Sequence, residues 1–335
     1  MRIAILSRNK NLHSIRRLLQ EAMRFGVDCD IINPLDCQLV VDGKETRILV
    51  GSNPLPEYDA ILPRIGASIT DYGLAVVKHF ESLDTFVVNG SRAIAESRDK
   101  MRSLQVMAKS GICVPSTVLC RSGSGRGTKA AVKAVGGMPV VLKVLRGTQG
   151  VGVMLIHTPV SLNSVLDTLN SLEEDVIMQQ FIAEGAGRDY RAFVIGNQVV
   201  AAMMRTAPEG EFRSNIHQGG TGKLVKLPVA FARSAIKAAQ VFDLKIAGVD
   251  IMESKSGPMV IEVNSSPGFE GIEKATGMNV AYLIMKHLIT EAKKIKKNKV
   301  RKEARKAARK TKPSRRARKS TAEKSGRKSG RKTSK

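Results

Sequence analysis

Two acids stand inside apolar runs of the stretch AGVDIMESKSGPMVIEVNSSPG, residues 247–268: Asp250 and Glu262, with Asn264 two positions further on. The stretch reads as a β-hairpin broken at Ser256–Pro258. Strand side chains alternate faces, so Val249 and Ile251 turn one way and Asp250 the other. By the same rule Ile261 and Val263 share one face, and Glu262 and Asn264 the opposite one. Three oxygen donors then converge beside an apolar layer. Two uncompensated carboxylates there would cost on the order of several kcal/mol each. With no nearby Cys and no paired His, the donor set suits a hard cation such as Mg²⁺ better than zinc. Mg²⁺ held by few carboxylates completes its shell with phosphate and water. The plainer reading is the solvated face of an amphipathic hairpin.

A second group is cationic. Lys143 lies within the apolar strand PVVLKVL and is followed by Arg146-Gly147-Thr148-Gln149-Gly150-Val151-Gly152. Glycines let backbone N–H groups approach phosphate oxygens, and an adjacent Lys adds a point charge. The run lacks the G-x-x-x-x-G-K-[ST] form and reads as a hairpin lid over phosphates, or simply as a tight hairpin. Asp189 and Arg191 share a strand face in RDYRAF, where Asp189 could accept from ribose hydroxyls. Gln180 and Phe181 are placed to offer backbone groups to an adenine edge. Arg205 and the run Arg213-Ser214-Asn215-Ile216-His217 add positive charge and amide donors.

Positioning these groups takes an α/β scaffold. Residues 1–90 alternate strand and helix patterns: RIAILS, a helix over Leu12–Phe25, CDIINP, YDAILPRIG, a helix through Val76–Leu83, then TFVVNG. That order predicts a small doubly wound parallel domain. No G-x-G-x-x-G follows the first strand, so a dinucleotide is not indicated. Arg64 ends its strand at the edge where open α/β sheets place ligands. A helix stops at Gly111, and two strands flank the glycine-rich loop. A helix over Leu162–Leu172, strands through DVIMQQFI, RDYRAFVIG and QVVAAMMRTA, and a helix over Val229–Phe242 lead into the hairpin, with Val280–Lys294 closing the body. The domains expected are 1–97, 98–180, 181–292 and a tail at 293–335.

Charge separates the tail from the rest. From Lys293 to Lys335 there are 22 Lys and Arg against two acids, whereas residues 1–292 carry 33 against 28. So polar and like-charged a run is expected to be disordered, helical near Lys293–Ala308, and to anchor to a polyanion. Cys29, Cys37, Cys113 and Cys120 show no metal or redox spacing and are expected to be reduced, mostly buried thiols of a cytoplasmic protein. No apolar run approaches a membrane span, and MRIAILSRNK reads as a first strand rather than a signal peptide.

PRIG, RDK, Lys143 with GTQGVGV, FRSNIHQGG, AGVDI and IEVNSSPGFEGIEKATG together resemble the ATP-grasp ligases of RimK type, over residues 1–292 and in order. That resemblance implies an ATP-grasp fold behind an N-terminal α/β domain and assembly as a homo-oligomer. Nucleotide would be held by Lys100, Lys143, Gly147, Gln149, Gly150, Gln180, Phe181, Asp189, Arg213, Ser214 and Asn215. Two Mg²⁺ or Mn²⁺ ions would sit on Asp250, Glu262 and Asn264, with Arg205 and Arg213 stabilising charge in catalysis. The activity implied is addition of glutamate to the C-terminus of a small-subunit ribosomal protein, with ATP cleaved to ADP through an acyl phosphate. The family pattern carries Glu where this chain has Gln180, and Glu-Arg-Arg where it has Met204-Arg205-Thr206, a difference bearing on amino-acid selectivity. Two alternatives stand: the same chemistry on a small-molecule or carrier-protein acceptor, and a non-enzymatic nucleic-acid-binding protein.

Overall fold

Ile3, Ala4, Ile5 and Leu6 are all fully buried, as a parallel strand covered on both faces requires. They form β1 (Arg2–Leu6) of a computed structural model that describes residues 1–43, 45–121, 127–145, 151–216 and 219–310, the side chains of 306–310 excepted. The chain falls into two compact units, Met1–Ile289 and Thr290–Lys335.

In the first unit, α1 (His13–Arg24) leads to β2 (Asp28–Ile32). A small antiparallel sheet follows, formed by β3 (Cys37–Val41), β4 (Thr46–Val50) and β5 (Asn53–Pro54). Then come β6 (Ala60–Pro63), α2 (Thr70–Ser82) and β7 (Phe86–Val87). The order β2-β1-β6-β7 is parallel throughout, the doubly wound sheet expected. The β3–β5 sheet was not expected, since its short strands alternate weakly.

α3 (Ser91–Arg98) and α4 (Lys100–Lys109) are separated by Asp99, whose side chain accepts from the Arg102 N–H and so starts α4. β8 (Thr117–Cys120), α5 (Thr128–Ala134), β9 (Val140–Val144), β10 (Val153–Ile156), α6 (Pro159–Ser171) and β11 (Val176–Gln180) follow. Their four strands form one antiparallel sheet, β10-β9-β11-β8, with Leu142, Met178 and Leu162 in its core.

The largest sheet orders as β14-β13-β12-β15-β16. Its strands are β12 (Arg188–Ile195), β13 (Gln198–Thr206), β14 (Thr221–Leu224), β15 (Ile246–Ser254) and β16 (Gly257–Asn264), with α7 (Val229–Val241) before β15. Phe231, Ala235 and Ala239 of α7 pack on Val249, Ile251, Val260 and Val263. α8 (Glu270–Thr276) and α9 (Val280–Lys310) complete the described chain. In the second unit α9 continues from Thr290, and its residues are exposed from Lys293 to Arg305. The helix expected near 293–308 is present; the tail beyond Lys310 lies outside the described residues.

Asn89, 3 % exposed, ties the N-terminal sheet to the hairpin. Its amide donates to Ile246 O at 2.7 Å and Ser265 O at 2.8 Å, and its Oδ1 accepts from the N–H groups of Lys245 and Ile246. One side chain thus fixes both the start of the first acid-bearing strand and the turn after the second.

Candidate active site

Register draws a polar row across four adjacent strands. Arg191 on β12 stands opposite Asp250 on β15, Asp250 opposite Glu262 on β16, and Asp189 opposite Arg205 on β13. Directly opposed residues share a face, so these five side chains stand together on the face turned away from α7. Between Asn264 and the Arg191 stem lies Gly248, where an added Cβ would meet Pro267 Cβ at 2.8 Å and Arg191 Cδ at 3.5 Å. Only a glycine leaves that row its room.

Strict alternation fails at one point. A bulge between Asp250 and Ile251 sets Val260, not Ile261, opposite Ile251. The extra residue resets the period, so Val260 and Val263 both enter the core and the expected partnership of Ile261 with Val263 is corrected. The two acids nonetheless share a face.

Their electrostatic settings differ. Arg191 donates to both Asp250 oxygens, from Nε and from Nη2 at 2.7 Å. Arg205 grips Asp189 through Nε at 2.6 Å and through Nη2, and that Nη2 also lies 2.8 Å from Asp250. Arg205 and Asp250 are each 5 % exposed. Burial pushes the Asp250 carboxyl up, but two guanidiniums outweigh it and hold the group below its ordinary range. Burial likewise opposes the Arg205 charge, and Asp250 with Asp189 overcomes it, so its pKa is raised.

Glu262 has no hydrogen-bond or ion-pair partner among the described residues. Glu262 is exposed, and the protein atoms crowding its carboxyl, reinforced by the Asp250 charge, raise its pKa. Arg191, Lys143 and Lys100 pull the other way. Lys143 of β9 and Lys100 of α4 therefore face the hairpin from the neighbouring sheet and helix. Burial lowers both lysine pKa values, and Glu262 opposes it. Lys143 Nζ donates to Gln179 Oε1 at 2.6 Å, and the Gln179 amide donates to Thr117 Oγ1 at 2.9 Å. Lys100 Nζ donates to Leu145 O at 2.7 Å. An open carboxylate beside a second acid and an amide, facing two lysines, fits a divalent cation carrying an anionic ligand.

The other expected residues lie around this core. Asp189, expected as a ribose acceptor, and Arg205, expected to supply positive charge, form a buried ion pair. The Gln180 N–H donates to Ser116 O at 2.9 Å, and its side-chain oxygen accepts from the Ser116 N–H. Arg213 pairs with Glu211 at 2.6 Å, next to the buried Ser214 and half-buried Asn215. Gly147, Gln149, Gly150 and His217 lie outside the described residues. Of Met204-Arg205-Thr206, only Arg205 faces the acids; Met204 stands opposite Tyr190, which packs on Phe231 of α7. Sequence reading passed over Gln179 and Asn89 and gave Arg191 no role; an Arg two positions from Asp189 was the one visible signal.

Residues 97–288 match the RimK-like ATP-grasp domain and residues 1–94 the RimK PreATP-grasp domain. This chain belongs to the RimK-like ATP-grasp family. It is similar to the probable alpha-L-glutamate ligase of Vibrio vulnificus (strain YJ016), 48% identical over 293 residues, covering 88% of this chain and 97% of that one. The protein of the same description from Marinomonas sp. (strain MWYL1) is 46% identical over 288 residues, covering 86% and 95%. The fold is shared with the ATP-grasp ligase PsnB complexed with minimal precursor, Mg and ADP, at a TM-score of 0.68 and 16% identity over 87% of this chain and 98% of that one. It is also shared with D-alanine–D-alanine ligase from Bacillus anthracis complexed with ATP, at 0.65 and 17%, covering 89% and 99%. RimK-like ATP-grasp chains are ADP-forming carboxylate–amine ligases that use ATP with Mg²⁺. An exclusively nucleic-acid-binding role is thereby set aside. No helix among the described residues is long and apolar enough to cross a membrane.

Proposed function

We propose that this chain joins glutamate through its α-amine to the C-terminal carboxylate of a small-subunit ribosomal protein. The convergence of Glu262 with Lys143 and Lys100 carries the reading, because it sets an open carboxylate opposite two cations where a triphosphate and its metal would meet. The names of the relatives from Vibrio vulnificus and Marinomonas support glutamate as the amino acid.

Asp250, Glu262 and Asn264 would hold Mg²⁺, which when bound neutralises phosphate charge. Lys143, steadied by Gln179, and Lys100 hold phosphate oxygens, and Phe181 offers its backbone to adenine beside Gln180. Gly147, Gln149 and Gly150 would hold phosphate, and Arg213, Ser214 and Asn215 would bind the nucleotide. Arg191 and Arg205 keep Asp250 ionised and oriented. The acceptor carboxylate attacks the γ-phosphorus, the bond to ADP breaks, and an acyl phosphate forms. The glutamate amine then attacks the acyl carbon, loses a proton, and inorganic phosphate leaves as the amide forms. The divisions at 97, 180 and 292 separate the N-terminal domain, the two halves of the ligase and the basic tail, which would hold the enzyme on ribosomal RNA.

Mass spectrometry of ribosomal proteins after incubation with the enzyme, ATP, Mg²⁺ and glutamate tests this reading. One small-subunit protein should gain glutamyl residues at its C-terminus, with one ADP released per residue added. ADP formation with glutamyl transfer only to a small molecule or a carrier protein would overturn the ribosomal assignment.

A further inference from the structure

Arg64 follows β6 at the carboxyl edge of the N-terminal sheet, and the ligase chemistry above gives it no task. Its Nη2 donates to Pro267 O at 2.8 Å, three residues past Asn264, and its guanidinium lies over the Phe269 ring at 5.7 Å. Pro267 is also the residue against which Gly248 packs, so Arg64 adjoins the end of the polar row. Arg98 stands behind it, donating to Ile65 O, to Gly66 O at 3.3 Å and to Thr70 Oγ1 at 2.9 Å. Arg8 reaches the same 65–70 segment, donating to Ser68 Oγ at 2.8 Å. His13, at the start of α1, meets the other side of the cluster, its ring 6.4 Å from Phe269 and its buried Nδ1 without a partner.

Among the described residues no acid pairs with Arg64, Arg98 or Arg8. Burial and the Arg98 charge push the Arg64 pKa down to about 10, as befits a cation without a counter-ion. Among the described residues its Nε and Nη1 donors have no side-chain or backbone acceptor. Two half-buried guanidiniums, each bonded to backbone carbonyls rather than to an acid, leave a positive site that an anion would complete. A planar fork beside an aromatic ring suits a carboxylate, which it meets bidentately.

We propose that Arg64, supported by Arg98 and rimmed by Arg8 and His13, forms a site for a substrate carboxylate. That carboxylate belongs either to the free amino acid or to the C-terminus of the acceptor. The assignment rests on the ligase reading for which substrates are present, but its own content is a preference for carboxylate over amide.

Calorimetric titration of the full chain, with Mg²⁺ and a non-hydrolysable ATP analogue present, tests it. The probes are L-glutamate against its amides, and a short acidic peptide with a free C-terminus against the same peptide amidated. Wild type should prefer the acid in one pair by about tenfold or more, as loss of a charge-assisted hydrogen bond implies. Arg64→Met, which keeps the stem on Phe269, should abolish that preference, Arg64→Lys should restore part of it, and nucleotide affinity should stay unchanged in both. The pair affected tells which carboxylate is bound. Wild type without a preference in either pair, or an Arg64→Met chain that retains it or loses nucleotide affinity, would overturn the proposal. A failure of glutamyl transfer in the mass-spectrometric assay bears on the function alone, since the acid preference is read without turnover.

Discussion

Asp250 and Glu262 face each other across β15 and β16, yet only Asp250 is neutralised. Arg191 and Arg205 surround it, whereas Glu262 meets no cation within hydrogen-bonding distance among the described residues and feels Lys143 and Lys100 only through space. The asymmetry divides the work of the pair. Asp250 is locked in place, and Glu262 is left open, as the proposed metal ligand requires.

Removing Arg205 should therefore cost stability as well as activity. Arg205→Met strands Asp189 and leaves Asp250 to Arg191 alone in a site where Arg205 is 5 % exposed, and one-sided loss of a buried ion pair typically costs about 3–5 kcal/mol. Urea denaturation should show the loss, and the double change with Asp189→Asn, which leaves the Arg191–Asp250 pair intact, should recover most of it. Unchanged stability in the single variant would contradict the buried cluster.

Gln179 should be a positioning residue for ATP. Gln179→Leu preserves size and removes the acceptor from Lys143 Nζ, freeing the ammonium to swing. The KM for ATP should rise by about tenfold, the worth of one charge-assisted hydrogen bond, while KM for glutamate holds. Steady-state ADP release at varied ATP and varied glutamate separates the two.

The paired acids and Lys143 were legible because a charged residue inside Val, Ile and Leu is conspicuous at a period of two. Arg64 was legible from its place at a strand end. The bulge at Ile261 was not, because an inserted residue leaves no mark in composition and shows only as a failed alternation once the partner strand is known. Gln179 and Asn89 were hidden for a different reason. Their partners lie 36 and more than 150 positions away, and an amide in a strand or a loop looks the same whether it meets water or a distant backbone group. The β3–β5 sheet escaped because its strands are short and half-exposed.

The thiols divide by environment. Burial, reinforced by Asp30, pushes Cys29 up to about 12, and burial with Asp36 pushes Cys37 up to about 11; mostly buried thiols were expected, but Cys37 alone of the four is fully buried and Cys113 is exposed. A raised thiol pKa leaves the unreactive protonated form dominant until the pH approaches that value. Iodoacetamide at about pH 8 should label Cys113 first and reach Cys29 and Cys37 only on unfolding, as peptide mass mapping would show. Early labelling of Cys37 would contradict the packing around β3.

For the tail, a chain ending at Lys310 loses 11 Lys and Arg and one acid. Its co-sedimentation with ribosomes should weaken and its salt dependence flatten, because fewer phosphate contacts release fewer counter-ions. Turnover on a free acceptor peptide should be unaffected. Equal co-sedimentation of both chains across a salt series would remove the anchoring role.

The most direct test of the account is metal occupancy at the hairpin, read by Mn²⁺ electron paramagnetic resonance with a non-hydrolysable ATP analogue bound. Wild type should immobilise the ion in a nucleotide-dependent way, and Glu262→Gln should lose that signal and at least about a hundredfold of ADP release while keeping its fold. A Glu262→Gln chain that binds Mn²⁺ and turns over ATP as wild type does would contradict the claim that this carboxylate is where metal and nucleotide meet.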